Sequence, residues 1–367
     1  MPFSEFLGNP RIVTALRGML ASGRVPHAML FAGPHGVGKF TLARMFAQAA
    51  NCEWLSDDFC GACGACLGIG KLADPAPLIA QGLAERGDSA DAATVERVPL
   101  LLAPHPDVWA AVPDPVRIKS PVARPVLRVG QLRAVQRAAY FKPVARRRVF
   151  LIDGAETMRQ DHANIFLKIL EEPPETATLI LMATNSQFLL PTIRSRCLQF
   201  LFVSLSTENV EKILRDHASV SHSHQKLASQ LAEGRPGIAL TINVDEALEL
   251  RRAILQLLAT SVRASSPADL FAQTERLAKG QKVPFESVVE LFYSLLTDLL
   301  ELSAGCKAPE LRNPMLGKEL AALSKQVDPS WVLRAVQAVD EFEGRLRRNV
   351  NRQLGLDALA LSLSERQ

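Results

Sequence analysis

Aromatic residues are scarce in this 367-residue chain, where phenylalanine, tryptophan and tyrosine together make up 6% of the composition. Long apolar runs are missing as well, and without a run of about 18 apolar residues we expect no membrane span. The opening MPFSEFLGNPRIV has no basic segment followed by an apolar run, so we expect no secretory signal. These absences together predict a cytoplasmic protein.

The remaining composition is that of a globular protein, with 48% hydrophobic and 22% charged residues. Leucine and alanine are abundant, which favours helices, and the length predicts about two or three domains. The net charge of +4 permits contact with nucleic acid but does not by itself argue for it.

A glycine-rich loop nearly matches the phosphate-binding pattern G-x-x-x-x-G-K-[ST]. The hydroxyl that would contact Mg²⁺ is replaced by Phe40, whose ring offers no oxygen ligand, and Thr41 comes one residue too late. An apolar run at 27–32 precedes the loop and a helical pattern at 41–50 follows it, which is the context a phosphate loop requires. A glycine-rich turn that binds nothing remains the alternative. The candidate nucleotide-binding residues are Gly33, Gly36, Gly38, Lys39 and Thr41.

Four of the six cysteines are clustered within one short segment. In a reducing compartment such spacing indicates metal binding, and four thiolates make a closed tetrahedral site, so we predict structural zinc. Two redox-active C-x-x-C pairs or an accidental cluster are the alternatives. The predicted ligands are Cys52, Cys60, Cys63 and Cys66.

Strands and helices alternate up to Phe202, which predicts an α/β fold with a parallel sheet and flanking helices. Only helical patterns follow, so an all-α region is expected after it. The stretch Asp74–Arg97 has no long periodic pattern, and we predict a mobile surface insertion or long loop there.

A second site signal follows the apolar strand at 149–152. Asp153 is the carboxylate expected to face a metal, but Gly154 stands where hydrolytic versions of the motif place a water-activating glutamate. Glu156 comes two residues later and is expected to face elsewhere. Both the metal hydroxyl and the water-activating carboxylate are therefore missing.

The runs IFLKILEEPP at 165–174, LMATN at 181–185 and LPTIRSRC at 190–197 resemble bacterial sliding-clamp loader subunits, and most of all the delta-prime group of that family. The four-cysteine module adds to this resemblance, which covers about residues 5–205. It implies an AAA+ P-loop module at 1–203, a small all-α lid at 204–243 and an all-α collar for oligomerisation at 244–367.

The same resemblance assigns roles to individual residues. Arg196 of Ser-Arg-Cys is the expected arginine finger, which acts in trans on a neighbour's γ-phosphate. An ordinary surface salt bridge of Arg196, or Arg194 as the finger, are the alternatives. Thr184-Asn185 corresponds to the polar sensor at the end of a strand, and Gly237 stands where active ATPase subunits carry a lid arginine.

The function implied is that of a non-hydrolysing clamp-loader subunit of DNA polymerase III. Lys39 leaves weak nucleotide binding open, whereas ATP hydrolysis with Mg²⁺ is not expected. The implied partners are the motor ATPase subunits, the delta subunit, the sliding clamp and, through the complex, primer–template DNA. One alternative is an active ATPase like the gamma/tau motor subunit. Another is a zinc module that binds nucleic acid, which Ala62, Gly64 and Ala65 do not support because they are neither aromatic nor basic.

Overall fold

The computed structural model describes residues 2–87, 91–116, 125–216, 222–263, 266–279, 285–306, 311–347 and 351–364. The chain divides into two compact units. The first comprises Met1–His217 with Gly234–Ile238, and the second comprises Ala218–Glu233 with Ala239–Gln367. The three-domain division inferred from the sequence remains a proposal.

The first unit is built on one sheet. Its strands are β1 (Ala28–Ala32), β2 (Leu101–His105), β3 (Val108–Ala111), β4 (Arg148–Ile152), β5 (Ala177–Ala183) and β6 (Leu198–Leu201). They lie in the order β2-β3-β4-β5-β1-β6. All neighbours are parallel except β2 and β3, whose short connection at residues 106–107 permits only an antiparallel pair. The predicted α/β class with flanking helices is confirmed.

Helices cover both faces of this sheet. In chain order they are α1 (Pro10–Ser22), α2 (Lys39–Asn51), α3 (Gly64–Gly70), α4 (Ala76–Ala84), α5 (Ala92–Arg97), α6 (Val129–Ala139), α7 (Gln160–Glu171), α8 (Pro191–Arg194) and α9 (Thr207–Asp216). Successive residues of β1 pack into different cores: Met29 and Phe31 join the cluster that contains α1 and α2, while Leu30 joins the cluster that contains α6 and α7. Burial on both sides explains why the strands are continuous apolar runs.

The alternative of a long loop at Asp74–Arg97 is wrong for its described residues, which form α4 and α5, whereas the surface insertion stays a prediction. The Asp91 side chain accepts a hydrogen bond from the Thr94 backbone N–H (2.8 Å) and so caps α5. Leu78 and Ile79 of α4 pack against the first unit's core. Local capping and long-range packing stabilise helices that are too short to show a clear period. Residues 88–90 of the segment lie outside the described residues.

A buried ion pair ties this helical segment to the rest of the first unit. The Arg86 guanidinium lies 2.7 Å from the Asp114 carboxylate, with both side chains almost fully buried. Arg86 also donates to the Val98 carbonyl (2.7 Å), and Asp114 accepts from the Val116 backbone N–H (2.9 Å). Because hydrogen bonds surround the pair, its desolvation is partly compensated.

One edge of the sheet is open. Among the described residues β6 pairs with β1 alone, and its Leu198 and Leu201 are 44% and 67% exposed. Just beyond the strand, the Asn9 side-chain amide exchanges two hydrogen bonds with the Val203 backbone (3.0 and 3.2 Å). Asn9 therefore satisfies the backbone N–H and C=O groups of Val203, just after the strand, and it does not cover the strand itself.

The second unit is helical. It contains α10 (His222–Leu231) and, after the short α11 (Pro236–Ala239) at the boundary, α12 (Val244–Val262), α13 (Pro267–Lys279), α14 (Phe285–Ser303), α15 (Gly317–Ser324), α16 (Pro329–Arg347) and α17 (Arg352–Ser364). An apolar stripe on α14 is buried in this unit's core and consists of Val288, Leu291, Leu295 and Leu299. No helix in the described ranges is both long and apolar enough to cross a bilayer.

Replacing Arg86 by Met should strongly destabilise the first unit, because Asp114 would remain as a buried carboxylate without its closest cation. Losing one partner of a buried pair costs about 3–5 kcal/mol. We expect the free energy of unfolding to fall by that amount in urea denaturation followed by tryptophan fluorescence. A Trp331→Phe background leaves Trp54 and Trp109 as reporters, both in the first unit.

The matched control is Arg17→Met, which removes the ion pair between Arg17 and Asp57. This pair is about as short (2.8 Å), but both of its side chains are about half exposed. Its loss should cost about 0–1 kcal/mol. Equal destabilisation by the two variants would contradict the role given to the buried pair.

Candidate functional site

The glycine loop at 33–38 joins the end of β1 to the start of α2, as the sequence predicts. Gly36 and Gly38 have φ values of 83° and 97°, in the left-handed region that favours glycine. The Lys39 ammonium is buried and donates to the carbonyls of Gly33 (2.6 Å) and Pro34 (2.9 Å). Its charge is therefore held by the loop's own backbone oxygens.

Asp153 lies at the end of β4 and interacts electrostatically with Lys39. Burial raises the pKa of the Asp153 carboxyl, and the charge of Lys39 opposes that rise. Burial likewise lowers the pKa of the Lys39 ammonium, while Asp153 and Glu156 favour its charged form. The structure thus brings the predicted lysine and the predicted metal-facing carboxylate into one electrostatic cluster.

Glu156 belongs to this cluster, contrary to the expectation that it faces elsewhere. Residues 155–157 form a single 3₁₀ turn instead of an α-helix. One Glu156 carboxylate oxygen accepts hydrogen bonds from the backbone N–H (3.0 Å) and the hydroxyl (2.7 Å) of Thr184. Glu156 therefore fixes the end of β5, next to the predicted sensor.

The missing glutamate at Gly154 has a structural cause. Gly154 has a φ of 61°, and a Cβ atom at this position would lie 2.7 Å from Cγ of Pro113. A glutamate would have to adopt a left-handed backbone and displace Pro113. The position therefore lacks the carboxylate, and its backbone conformation and its contact with Pro113 also favour glycine.

Phe40 and two predicted nucleotide-binding residues, Thr41 and Asn185, have surroundings of their own. Phe40 is partly buried against the first unit's core, and Thr41 is exposed on α2. The Asn185 side chain accepts a hydrogen bond from the Gln187 backbone N–H (2.9 Å) and caps a short turn. The hydroxyl position therefore carries no oxygen ligand, and the Asn185 oxygen is engaged within its own turn.

The predicted lid motif contacts the glycine loop within the first unit. The Gly237 backbone N–H donates to the Gly36 carbonyl (2.8 Å). A Cβ atom on Gly36 would lie 2.9 Å from Cγ1 of Ile238, so the two segments are closely packed. Gly237 thus binds the loop through its backbone, in the position where a lid arginine would otherwise extend.

Arg196 follows α8 and keeps about a third of its side chain exposed. Its guanidinium donates to the Thr192 carbonyl (3.0 Å) and to the Glu171 carboxylate (2.9 Å). Glu171 is half exposed, so this ion pair contributes about 0–1 kcal/mol and separates readily. Arg194 instead donates to the side-chain oxygen of Gln187.

The four predicted cysteine ligands meet in one cluster, here called the cysteine knot (Cys52, Cys60, Cys63 and Cys66). Their sulfur atoms all lie within 4.8 Å of one another. Sγ of Cys60 and Sγ of Cys66 are 3.8 Å apart, which matches the edge of about 3.8 Å that a tetrahedron with Zn–S bonds of about 2.3 Å requires. The residues present could therefore hold a metal ion.

Backbone amides prepare the knot for thiolates. Sγ of Cys60 accepts hydrogen bonds from the N–H groups of Ala62 (3.4 Å) and Cys63 (3.2 Å), and Sγ of Cys52 accepts one from Cys60 (3.4 Å). Such donors stabilise negative sulfur. Cys52 lies directly after α2 and Cys66 within α3, so the knot fastens the C-terminal end of α2 to the next helix.

Two buried polar residues that the sequence analysis did not single out as functional bind the segment before β4: Asn51 lies beside the knot, and Asp107 lies between β2 and β3. The Asn51 side-chain oxygen accepts from the backbone N–H groups of Arg146 (3.3 Å) and Arg147 (3.0 Å). The Asp107 carboxylate accepts from those of Val144 (3.0 Å) and Ala145 (2.6 Å). Both sets of contacts join residues that lie tens of positions apart. The signals in the sequence were weak: Asn51 is a polar residue beside Cys52, and Asp107 ends the His-Pro-Asp run.

Known proteins similar to this chain are DNA polymerase III subunits. The tau subunit of Escherichia coli (strain K12) is 32% identical over 249 residues, or 65% of this chain and 32% of the relative. The tau subunit of Bacillus subtilis (strain 168) is 25% identical over 370 residues, or 94% of this chain and 58% of the relative. The chain therefore spans about a third to three-fifths of the length of these relatives.

Among solved structures, a gamma-subunit-related protein of DNA polymerase III from Thermotoga maritima matches 96% of this chain and 99% of its own, with 14% identity and a TM-score of 0.36. The family model described as DNA polymerase III, delta subunit, matches residues 8–206, and its C-terminal counterpart matches residues 245–365. Because the first model alone covers more than half of the sequence, the chain belongs to the DNA polymerase III delta-subunit family.

Proposed function

We propose that this chain is a non-hydrolysing clamp-loader subunit of the delta-prime kind, which donates Arg196 to the ATP site of a neighbouring motor subunit. The observation that carries the proposal is Gly154, held in a left-handed conformation against Pro113. A site that accepts the water-activating glutamate only with a strained backbone and a displaced Pro113 is poorly suited to orient water for attack on a γ-phosphate. The same chain nevertheless keeps an accessible arginine after α8.

The glycine loop supports the first half of this proposal. Lys39 is bound to loop carbonyls, Phe40 fills the hydroxyl position with a ring, and Gly237 offers no cation. Each difference removes one requirement of phosphoryl transfer: an oxygen ligand for Mg²⁺ or a positive charge near the phosphates. A loop of this kind serves as a rigid part of the fold.

The environment of Arg196 supports the second half. A finger must leave its own subunit's contacts and meet a partner's phosphate, and the exposed pair with Glu171 opposes this only weakly. Guanidinium groups bind phosphate oxygens with two parallel hydrogen bonds, which favours arginine over lysine in this role. Relatives named tau and gamma subunits suggest motor ATPases as the partners.

In the assembled loader, this chain would work with the motor subunits and the delta subunit to place the sliding clamp on primer–template DNA. A second candidate function is that of an active gamma/tau-like ATPase. The identity to tau subunits and the preserved Lys39–Asp153 interaction favour it. Steady-state ATP hydrolysis by the pure chain distinguishes the two functions.

We also propose that the cysteine knot holds structural zinc. Four sulfur ligands leave no open position for a substrate, and zinc is the common ion for tetrahedral all-cysteine sites. The ion would hold α2 and α3 together through Cys52 and Cys66 without taking part in chemistry.

The Arg196→Ala variant should greatly reduce the ATPase of the reconstituted loader, stimulated by DNA and clamp. The ATP site that receives the finger loses about 10³-fold or more of its rate, because charge on the transferring phosphoryl group is left uncompensated. Arg194→Ala serves as the matched control and should leave the rate largely unchanged. Size-exclusion chromatography must show intact assembly, and an unaltered rate in Arg196→Ala would contradict the finger assignment.

Replacing Cys60 and Cys63 by Ser should abolish zinc binding. Elemental analysis of the purified wild type should give about one zinc per chain, as a single four-cysteine site requires, and the double variant close to none. The control Cys306→Ser changes an exposed cysteine of the second unit and should keep the full zinc content. Equal metal content in all three proteins would refute the knot as the zinc site.

Restoring the hydroxyl and the carboxylate in Phe40→Thr/Gly154→Glu should raise nucleotide affinity more readily than turnover, since Gly237 remains without a cation. The Gly154 change should also lower the melting temperature, because a non-glycine left-handed residue costs about 1–2 kcal/mol. Gly154→Ala, as a control for the backbone alone, should show the same loss. Binding of a fluorescent ATP analogue and phosphate release measure the two effects, and rapid hydrolysis would contradict the proposed inactive site.

A further inference from the structure

Exposed aromatic side chains lie near the N-terminal ends of the strands, at the opposite end of the sheet from the glycine loop. The loop follows the C-terminal end of β1, and α2 runs back from it to Asn51, so the cysteine knot lies near the N-terminal ends of the strands. β4 begins at this same edge with Arg148. Trp54 in the knot segment is 65% exposed, and Tyr140 and Phe141 in the segment before β4 are 51% and 64% exposed.

Direct contacts join the two regions into one surface. The Arg146 guanidinium donates to the carbonyls of Leu55 (2.9 Å) and Glu53 (3.2 Å), and Asn51 binds the backbone of residues 146 and 147. We call the result the knot-edge surface, defined by Trp54, Leu55, Tyr140, Phe141, Lys142 and Arg146. It is composed of segments that lie about 90 residues apart in the sequence.

This surface is held in place before any ligand arrives. The Arg148 guanidinium lies 5.9 Å from the centre of the Phe141 ring and donates to the Lys142 carbonyl (3.3 Å). Buried Asp107 binds the backbone at Val144 and Ala145, just before Arg146. An aromatic ring fixed in this way loses little entropy when a second flat group stacks on it.

The charge of the region is one-sided. Residues 125–148 contain seven arginines and lysines and no aspartate or glutamate. Asp107 lies 3.7 Å from Arg148, whereas Arg137, Lys142 and Arg146 are exposed.

The carboxylates of the neighbouring knot segment are largely engaged. The Glu53 carboxylate accepts from the Ala65 backbone N–H (3.2 Å), and Asp57 is paired with Arg17. Asp58 accepts from the backbone N–H groups of Phe3 and Phe59. These hydrogen bonds leave the negative charge of Glu53 and Asp58 in place, so the positive charge of the surface comes from the segment with Lys142 and Arg146, which lies beside the exposed rings.

We propose that the knot-edge surface binds single-stranded nucleic acid, with bases stacked on Trp54 and Phe141 and phosphates near Lys142 and Arg146. Flat exposed rings beside cations match unpaired bases on a phosphate backbone, whereas a regular duplex keeps its base faces stacked inside. An apolar protein partner would account for the rings but not for the one-sided charge. This contact is independent of the proposed finger and goes beyond the clamp-loader role.

Rings and cations reach the cysteine knot from another part of the chain. Residues inside the knot, such as Ala62 and Ala65, supply neither rings nor charges. The fold brings Arg146 to the knot from the segment before β4, and Phe141 and Lys142 belong to the same segment. The cysteine knot thereby lies next to the aromatic and basic residues that its own sequence lacks.

Fluorescence anisotropy of labelled oligo(dT) of about 16 nucleotides, with the zinc-loaded full chain, tests the proposal. Trp54→Ala and Phe141→Ala should each weaken binding about 5- to 100-fold, as loss of one stacked base does. Trp54→Phe should retain most of the affinity. Lys142→Ala should reduce the slope of log affinity against log salt by about 0.7, as expected for one phosphate contact to a single strand.

Two matched controls change exposed residues elsewhere. Leu201→Ala removes an apolar side chain at the β6 edge, and Lys318→Ala removes a cation of the second unit, so both should bind like the wild type. Circular dichroism and zinc content verify that each variant is folded. Absence of saturable binding, or equal affinity of Trp54→Ala and wild type, would overturn the proposal. Duplex DNA or polyglutamate competing as well as oligo(dT) would also overturn it, since neither offers bases for stacking.

Discussion

Burial of the central strands on both faces is the constraint on which the first unit depends. β1 lies between β5 and β6, and all five of its side chains are buried. A polar group within such a strand costs stability unless it finds a hydrogen-bond partner, so most of the polar groups that could carry chemistry lie at the strand ends. The glycine loop and Asp153 lie at the C-terminal ends of the strands, and the knot-edge surface lies near their N-terminal ends.

At the edge with the glycine loop, the departures from an active ATPase support one another. Gly154 is packed on Pro113, Phe40 is partly buried against the core, and the backbone of Gly237 binds Gly36. Each of these residues therefore has a packing or backbone contact of its own. Changing one of them to the residue of the active pattern meets a structural obstacle, which supports the proposed non-hydrolysing role.

The sequence is most informative where the deciding residues are close together in the chain. The strand, glycine loop and α2 could be predicted because Gly36, Gly38 and Lys39 determine their own conformation and contacts, and the four cysteines carry their spacing within fifteen residues. The helices α4 and α5 could not, because their stability comes from the Asp91 cap and from packing against distant strands.

The contacts of Glu156 with Thr184 and of Arg146 with Leu55 were equally hidden, since they join residues 28 and 91 positions apart. Only the order of the strands decides which of these distant segments become neighbours. Sequence patterns therefore indicate which groups are candidates for chemistry, and the topology determines which of them meet.

The open edge at β6 has a consequence for the chain in isolation. Unpaired backbone groups flanked by exposed Leu198 and Leu201 form a template for another strand, and Asn9 protects only the exit. At high concentration, folded molecules without a partner can pair edge to edge and precipitate. Colloidal behaviour, more than loss of the fold, would then limit how much of this protein can be kept in solution, and producing it together with a binding partner would relieve that limit.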